Sequence, residues 1–221
     1  MKVTFIRAKN EPMNLDIRIE DNLFYHVYNR GNDRQRIFGD ASDYRAFVEK
    51  MKSLAVRYLV HVSVYALMPN HYHLIVQQQA GGNLSRMMGA LATSAAKRYN
   101  LKYAHIGHLF QGPFRHKLVG EDALWYVACY IHLNPVRARL VAQPEKWRYS
   151  NFGEGFLRQR KSQDEGNLHL WRGYPMYVQD VLKNERMQRE LRKMLQSHVE
   201  GFLPPEGGHL QLGLSRNEGN L

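Results

Sequence analysis

With 221 residues, a formal net charge of +11 and a pI near 9.8, the chain can bury one main core plus an extension, and it favours a polyanionic partner. A single cysteine, Cys129, excludes an intrachain disulfide and reads as a packed thiol beside Tyr130. No apolar run approaches the roughly 20 residues a membrane span requires, and residues 1–21 lack a signal-peptide core, so the chain is expected to be soluble, cytoplasmic and nucleoid-associated.

Residues 1–21 show no strong period and are expected to form an irregular lead-in. Leu23 to Tyr28 is rich in β-formers and stops at the turn-rich Asn29-Arg30-Gly31-Asn32-Asp33. Asp40 and Ser42 are candidate caps for a helix running to about Tyr58, with Tyr44, Phe47, Val48, Met51, Leu54 and Ala55 at helical spacing. Val60 to Leu67 alternates as a strand, Met68-Pro69-Asn70 turns the chain, and His71 to Gln78 returns. After the Gly81-Gly82 break, Asn83 or Ser85 starts a second helix that ends near Tyr99-Asn100. A loop over 101–113 leads to a fourth strand, Phe114 to Val119. Gly120-Glu121-Asp122 then opens a third helix, and Pro135 is expected to end it within a residue of Asn134.

The order β-α-β-β-α-β-α predicts an α+β, ferredoxin-like antiparallel sheet with helices on one face and one added helix. Beyond Leu140 the signal weakens. Trp147 to Phe152 reads as a packed coda, 158–168 is polar, and Tyr177 to Val199 reads as one amphipathic helix with Val181, Leu182, Leu191, Met194, Leu195 and Val199 on one side. The expected organisation is a lead-in over 1–21, a catalytic domain over 22–152, a helical extension over 153–200 and a disordered tail over 201–221.

His71 and His73 lie two apart on a strand and so present two imidazoles to one face. Tyr130 and Asn134 lie four apart on a helix and share a face. Between Lys50 and Pro144 eleven Lys and Arg stand against two acids, Glu121 and Asp122. That stretch suits phosphate and offers no carboxylate cluster for a metal or a water-activating base. Two imidazoles with an amide oxygen could hold a divalent ion, with Mn²⁺ expected to bind at least as well as Mg²⁺. A tyrosine that attacks phosphorus directly fits the lack of acids. Taken singly, each part has a plainer reading as a packed or helix-ending residue.

Four segments carry a resemblance: Tyr25-His-Val-Tyr-Asn-Arg-Gly-Asn32, Leu67-Met-Pro-Asn-His-Tyr-His-Leu-Ile75, Gly107-His-Leu-Phe-Gln-Gly112 and Tyr130-Ile-His-Leu-Asn-Pro-Val-Arg-Ala138. Over about 22–152 the chain resembles the single-tyrosine histidine–hydrophobic–histidine transposases of the insertion-sequence-200 type, above all their REP-associated relatives. The resemblance implies nicking and rejoining of single-stranded DNA beside a hairpin, a REP-like palindrome, through a 5′-phosphotyrosine. By the same resemblance, His71 and His73 match the metal-binding pair, Asn134 the third ligand of an Mg²⁺ or Mn²⁺ ion, and Tyr130 the nucleophile. Asparagine at that third position, where the insertion-sequence enzymes commonly carry glutamine, shifts the expectation towards a domesticated or single-copy enzyme.

Arg30, Asn32, Arg34 and Arg36 in the first loop, with Arg115 and Lys117 on the fourth strand, are the expected DNA contacts. His26, on a strand expected to be central, is a candidate neighbour of the histidine pair, whereas His132 faces elsewhere and is not counted as a ligand. A non-catalytic binder of structured nucleic acid, and a metal-free phosphoesterase using the histidines as acid and base, stay open. So do the monomer and homodimer states, the DNA sequence recognised and the role of the 177–199 segment.

Overall fold

The computed structural model describes residues 19–153, 168–171 and 173–198. Residues 1–18 of the lead-in expected over 1–21, most of the polar 158–168 stretch and the tail expected over 201–221 lie outside the described residues. The strands are β1 (Phe24–Arg30), β2 (Val60–Met68), β3 (His71–Gln78) and β4 (Arg115–Val119). The helices are α1 (Ala41–Arg57), α2 (Leu84–Tyr103), α3 (Leu124–Arg137), α4 (Tyr174–Lys183) and α5 (Glu185–His198). The sheet order is β2-β3-β1-β4 with every pairing antiparallel, which is the ferredoxin-like arrangement expected from the sequence.

Local chemistry sets the helix starts. Asp40 accepts from the backbone N–H groups of Ser42 and Asp43 while Asp43 reaches back to Asp40, closing a capping box ahead of α1. Asn83 caps α2 by accepting from the Arg86 N–H at 2.9 Å.

Strand pleating then divides the core between two faces. Tyr25, Val27, Tyr72, Leu74 and Val76 bury against Phe47, Met51 and Leu54 of α1 and Leu84, Met87, Met88 and Leu91 of α2. Phe24, Val64, Ala66, Ile75 and Val119 bury on the opposite face against Leu124, Val127 and Ile131 of α3, with Tyr174, Val178, Val181 and Leu191 from α4 and α5. The expected one-sided cover therefore describes the crossover helices α1 and α2, while α3 and the C-terminal helices cover the second face.

One irregularity keeps β2 in step with this division. Val62 pairs with Val76 and Val64 with Ile75, so Ser63 is an extra residue in β2. The bulge moves Val64 and Ala66 to the α3 face, whereas Val60 packs on the α1 and α2 side. Asn151 clamps it: its Oδ1 accepts from the Tyr65 N–H at 2.8 Å and its Nδ2 donates to the Ser63 carbonyl at 2.9 Å. His132 Nε2 also donates to Asn151 Oδ1 at 3.0 Å, and the Tyr174 hydroxyl lies 2.9 Å from His132 Nδ1. This buried chain ties α3, the β2 bulge and α4 together.

Two boundaries differ from expectation. α3 does not stop at Asn134 but passes through Pro135 to Arg137. Pro135 removes one N–H and crowds the preceding turn. The end is nonetheless closed, because Ala138 N–H donates to the Asn134 carbonyl and Leu140 N–H to the Pro135 carbonyl, both at 2.9 Å. The expected helix over Tyr177–Val199 is two helices, broken at Asn184, whose Oδ1 accepts from the Arg186 N–H at 2.9 Å and restarts α5. Val199 lies outside the described residues. Among the described residues no helix is long and apolar enough to cross a membrane.

Asn151→Ala removes both side-chain bonds to the bulge and the one from His132 Nε2, so it is expected to lower unfolding free energy by roughly 2–4 kcal/mol in urea titrations. Ile106→Ala, at a 96 % exposed position, is expected to stay within about 0.5 kcal/mol of the parent. Equal midpoints for the two variants would contradict the clamp.

Candidate functional site

The pairing of β1 with β3 sets Arg30 opposite His71 and Tyr28 opposite His73. On the other edge of β1, Tyr28 lies opposite Arg115 and His26 opposite Lys117. All of these residues therefore share the face that α3 covers. Their own β-propensity and alternation place them there, because the intervening Tyr25, Val27 and Tyr72 go to the other side.

The imidazoles form a connected group. His71 and His73 have ring centroids 5.1 Å apart, and His26 stacks on His73 at 5.2 Å. His26 Nε2 and His73 Nδ1 lie 3.0 Å apart, one donating to the other. His71 Nδ1 donates to Asn70 Oδ1 at 2.7 Å, which leaves the Nε2 lone pair as the donor atom towards a metal. The Asn70 amide also donates to the Arg34 carbonyl at 3.2 Å, so one side chain ties the first loop to the histidine pair.

From α3, Tyr130 enters this group edge-on, its ring 5.7 Å from His73 and 6.5 Å from His26. Arg137 lies over the Tyr130 ring, its guanidinium carbon 5.0 Å from the centroid. Asn134 sits against the phenol, and its Nδ2 is buried with no hydrogen-bond partner.

Burial sets the electrostatics. His26 is pushed down to about 3, first by burial and then by Lys117, and His71 to about 4 by burial and Arg30. His73 lies well below the usual imidazole range, through burial first and then its electrostatic coupling to His71, His26 and Arg137. All three imidazoles are neutral near pH 7, which is the form that ligates metal. Burial raises the Tyr130 phenol, while Arg137 and Asn134 oppose that rise. The Cys129 thiol is buried and pushed up, consistent with a packed role.

The donors suit a divalent ion only if an amide takes part. Among the described residues no three or more His, Cys, Asp and Glu are grouped to hold one. The orphaned Asn134 Nδ2 is an amide whose oxygen and nitrogen exchange on rotation, so Asn134 can present an oxygen beside the Tyr130 phenol, which itself meets His73. His71, His73 and Asn134 therefore fit such an ion as two nitrogen donors and one oxygen.

The expected DNA contacts do not all gather here. Arg115 and Lys117 flank the group from β4, and Arg115 interacts with the Tyr28 hydroxyl. Arg30 stands opposite His71 and donates to Gln111 Oε1. Asn32 and Arg34 are exposed in the first loop. Arg36 donates instead to the Phe38 carbonyl at 3.4 Å and acts electrostatically on Tyr44, on the α1 side of the sheet. Asn70, Tyr28 and Arg137 were missed as site residues, although all three lie inside the segments that carried the resemblance. Turn preference hid Asn70, and helix-end charge hid Arg137. His132 sits in the core chain with Asn151 and Tyr174, away from the imidazole group, as its position on α3 implied.

A family described as transposases of the IS200-like kind matches residues 20–134, just over half of the chain. Among solved structures, a REP-associated tyrosine transposase bound to a REP hairpin superposes with a TM-score of 0.49 and 16 % identity, over 66 % of this chain and 83 % of that one. A protein described as a transposase from Deinococcus radiodurans R1 gives 0.39 and 17 %, over 56 % and 95 % of the two chains. A bacterial tRNA(His) guanylyltransferase-like protein in complex with ATP gives 0.41 and 13 %, over 61 % and 65 %. None of the functionally curated proteins matches the chain in sequence.

The buried neutral histidines make the fold sensitive to acid. His26, His73 and His132 have folded values depressed below the unfolded 6.5, His132 to about 4 through burial. Below about pH 6.5 the unfolded chain binds protons that the folded chain refuses, so stability is full above that pH and falls towards pH 4. Each group contributes a slope approaching about 1.4 kcal/mol per pH unit. Urea midpoints are expected to be lower at pH 5 than at pH 7, and equal midpoints would contradict the assignment of these three as buried and neutral.

Proposed function

Because the chain belongs to the IS200-like transposase family, a family of DNA-processing enzymes, we propose that it nicks and rejoins single-stranded DNA beside a hairpin through Tyr130. The observation that carries this reading is the Tyr130 ring set 5.7 Å from His73, with Asn134 beside the phenol and Arg137 over it. The hairpin and the REP-like palindrome come from the likeness of the Leu67–Ile75 and Tyr130–Ala138 segments to the REP-associated branch.

His71, His73 and Asn134 would hold the divalent ion, Mg²⁺ or Mn²⁺. When bound, it supplies charge neutralisation on the phosphate and the leaving oxygen. His26 and Asn70 fix the His73 and His71 rings through their Nδ1 atoms, which would leave Nε2 of each to hold the ion. Arg137 opposes the burial that keeps the phenol protonated. The phenol loses its proton, Oη forms a bond to phosphorus, and the P–O3′ bond breaks. The 3′ oxygen takes up a proton and leaves as a free hydroxyl, while the 5′ phosphate stays on Tyr130. Rejoining reverses these steps. Arg30, Asn32, Arg34, Arg115 and Lys117 bind the phosphates of the strand and its hairpin, and Arg36 has the weakest support because it turns to the α1 side.

A second reading is favoured by one feature: Tyr130 is only 4 % exposed, and burial works against its phenolate. In that reading the chain keeps the fold and the charge and binds structured DNA without cutting it.

Single-stranded hairpin oligonucleotides labelled at either end, incubated with Mn²⁺ and run on denaturing protein gels, separate the two. The first reading predicts that the 3′-labelled fragment stays with the protein, and that Tyr130→Phe, His71→Ala and chelation each abolish the adduct. Tight hairpin binding with no adduct under any divalent ion would leave the binding reading.

A further inference from the structure

The first loop, which follows β1, is wound against the preference of its own residues. Asp33 and Arg34 both lie in the left-handed region, at φ 46° and 58°, although neither is a glycine. Residues held in this region cost roughly 1–3 kcal/mol each and persist only where their surroundings fix them. The fixing groups are all hydrogen bonds to the loop backbone. Asn32 N–H donates to the Leu109 carbonyl at 2.9 Å, and Gly31 N–H to the Asn70 carbonyl at 2.8 Å. The Asn70 side-chain amide donates to the Arg34 carbonyl at 3.2 Å. Asn32, Asp33 and Arg34 stay exposed, so this strained form does not serve to bury them.

The last of these bonds reaches the imidazole group. A carbonyl oxygen only accepts, so Asn70 must turn its side-chain nitrogen towards Arg34. Its Oδ1 then faces His71 Nδ1 at 2.7 Å, and an acceptor there requires the ring proton of the neutral imidazole to sit on Nδ1. The lone pair is thereby left on Nε2. Without the Arg34 carbonyl the amide can turn over and donate to Nδ1 instead. The proton would then sit on Nε2, and the ring could not ligate through that atom.

We propose that the Arg34 carbonyl, acting through Asn70, sets the tautomer of His71, so that the left-handed form of the first loop keeps His71 ready for the metal ion. Asn70 is the positioning residue. Arg34 has two separable parts, a side chain that meets DNA and a backbone carbonyl that serves the ion. The proposal rests on the reading above for His71 as a ligand and for the first loop as a DNA contact. By linkage, a strand that binds this form of the loop in preference also tightens ion binding.

Mn²⁺ uptake by the DNA-free full chain, followed through the electron spin resonance of the unbound ion, tests it without any need for turnover. Arg34→Pro fixes φ near −65° and takes the backbone out of the left-handed form. It is expected to weaken Mn²⁺ binding by about 10–100-fold, the usual loss when a ligand loses the group that orients it. Arg34→Gly keeps the conformation and is expected to bind Mn²⁺ as the parent does. The same glycine variant should lose about 0.7 from the slope of log K against log salt for a fluorescent oligothymidylate. Asn70→Asp can only accept, so it holds the proton on His71 Nδ1 whatever the loop does. Asn70→Asp combined with Arg34→Pro should therefore bind Mn²⁺ as Asn70→Asp alone does. In the parent, nitrogen-15 shifts of the His71 ring should place its proton on Nδ1, a readout that needs no variant to fold. Equal Mn²⁺ affinity in folded Arg34→Pro and Arg34→Gly, no rescue of the folded proline variant by Asn70→Asp, or a proton on Nε2 in the parent would overturn the proposal. If the parent binds Mn²⁺ and His71→Ala loses it, yet Arg34→Pro changes nothing, the ion reading stands and the part given to the loop fails. If the parent binds no Mn²⁺, or binds it undiminished without His71, the ion reading fails and takes the proposal with it.

Discussion

The antiparallel pairing of Phe24–Arg30 with His71–Gln78 is the constraint on which the rest of the molecule depends. Because side chains alternate along both strands, this one register sends Tyr25, Val27, Tyr72 and Leu74 under α1 and α2 and sends His26, Tyr28, His71 and His73 to the other face. A slip by one residue would exchange core for site. The register is held by the apolar set beneath the crossover helices, so the core that stabilises the fold also aims the imidazoles. The Ser63 bulge, clamped by Asn151, lets β2 join this pairing without breaking the division.

What covers the second face decides the chemistry. α3 is apolar enough to bury nearly its whole length, and it carries Tyr130 into the imidazole group from above. Burial there keeps three imidazoles neutral. Arg30, Arg115, Lys117 and Arg137, all positive, stand beside the group. A site with neutral imidazoles ringed by cations is complementary to phosphate.

Much of this was legible in the sequence, and the limits have physical reasons. The caps Asp40 and Asn83, the alternation of β2 and β3, and the i, i+2 and i, i+4 spacings of the site residues are local signals, and local signals survive without the fold. Pro135 misled because a proline in a last turn costs only one bond, and the carbonyls of Asn134 and Pro135 found other donors. Asn184 broke the C-terminal helix because its side chain caps as well as an aspartate would, a competition that apolar periodicity does not register. Asn70 ties the Arg34 carbonyl to His71, and Arg137 lies over a ring two turns back on its own helix, contacts that their types did not announce, since an asparagine there suggested a turn and an arginine a helix end. Whether α3 would cover the sheet's second face could not be read from the order of elements, since that order fixes the crossover helices alone.

The most direct measurement is the mass of the Leu118–Arg137 peptide after incubation with a single-stranded hairpin oligonucleotide and Mn²⁺, followed by nuclease and trypsin digestion. That peptide holds both Tyr126 and Tyr130. The account predicts a residual nucleotide phosphate whose fragment ions place it on Tyr130. A phosphate on Tyr126, or an unmodified peptide recovered from protein that had bound and cut the DNA, would contradict it.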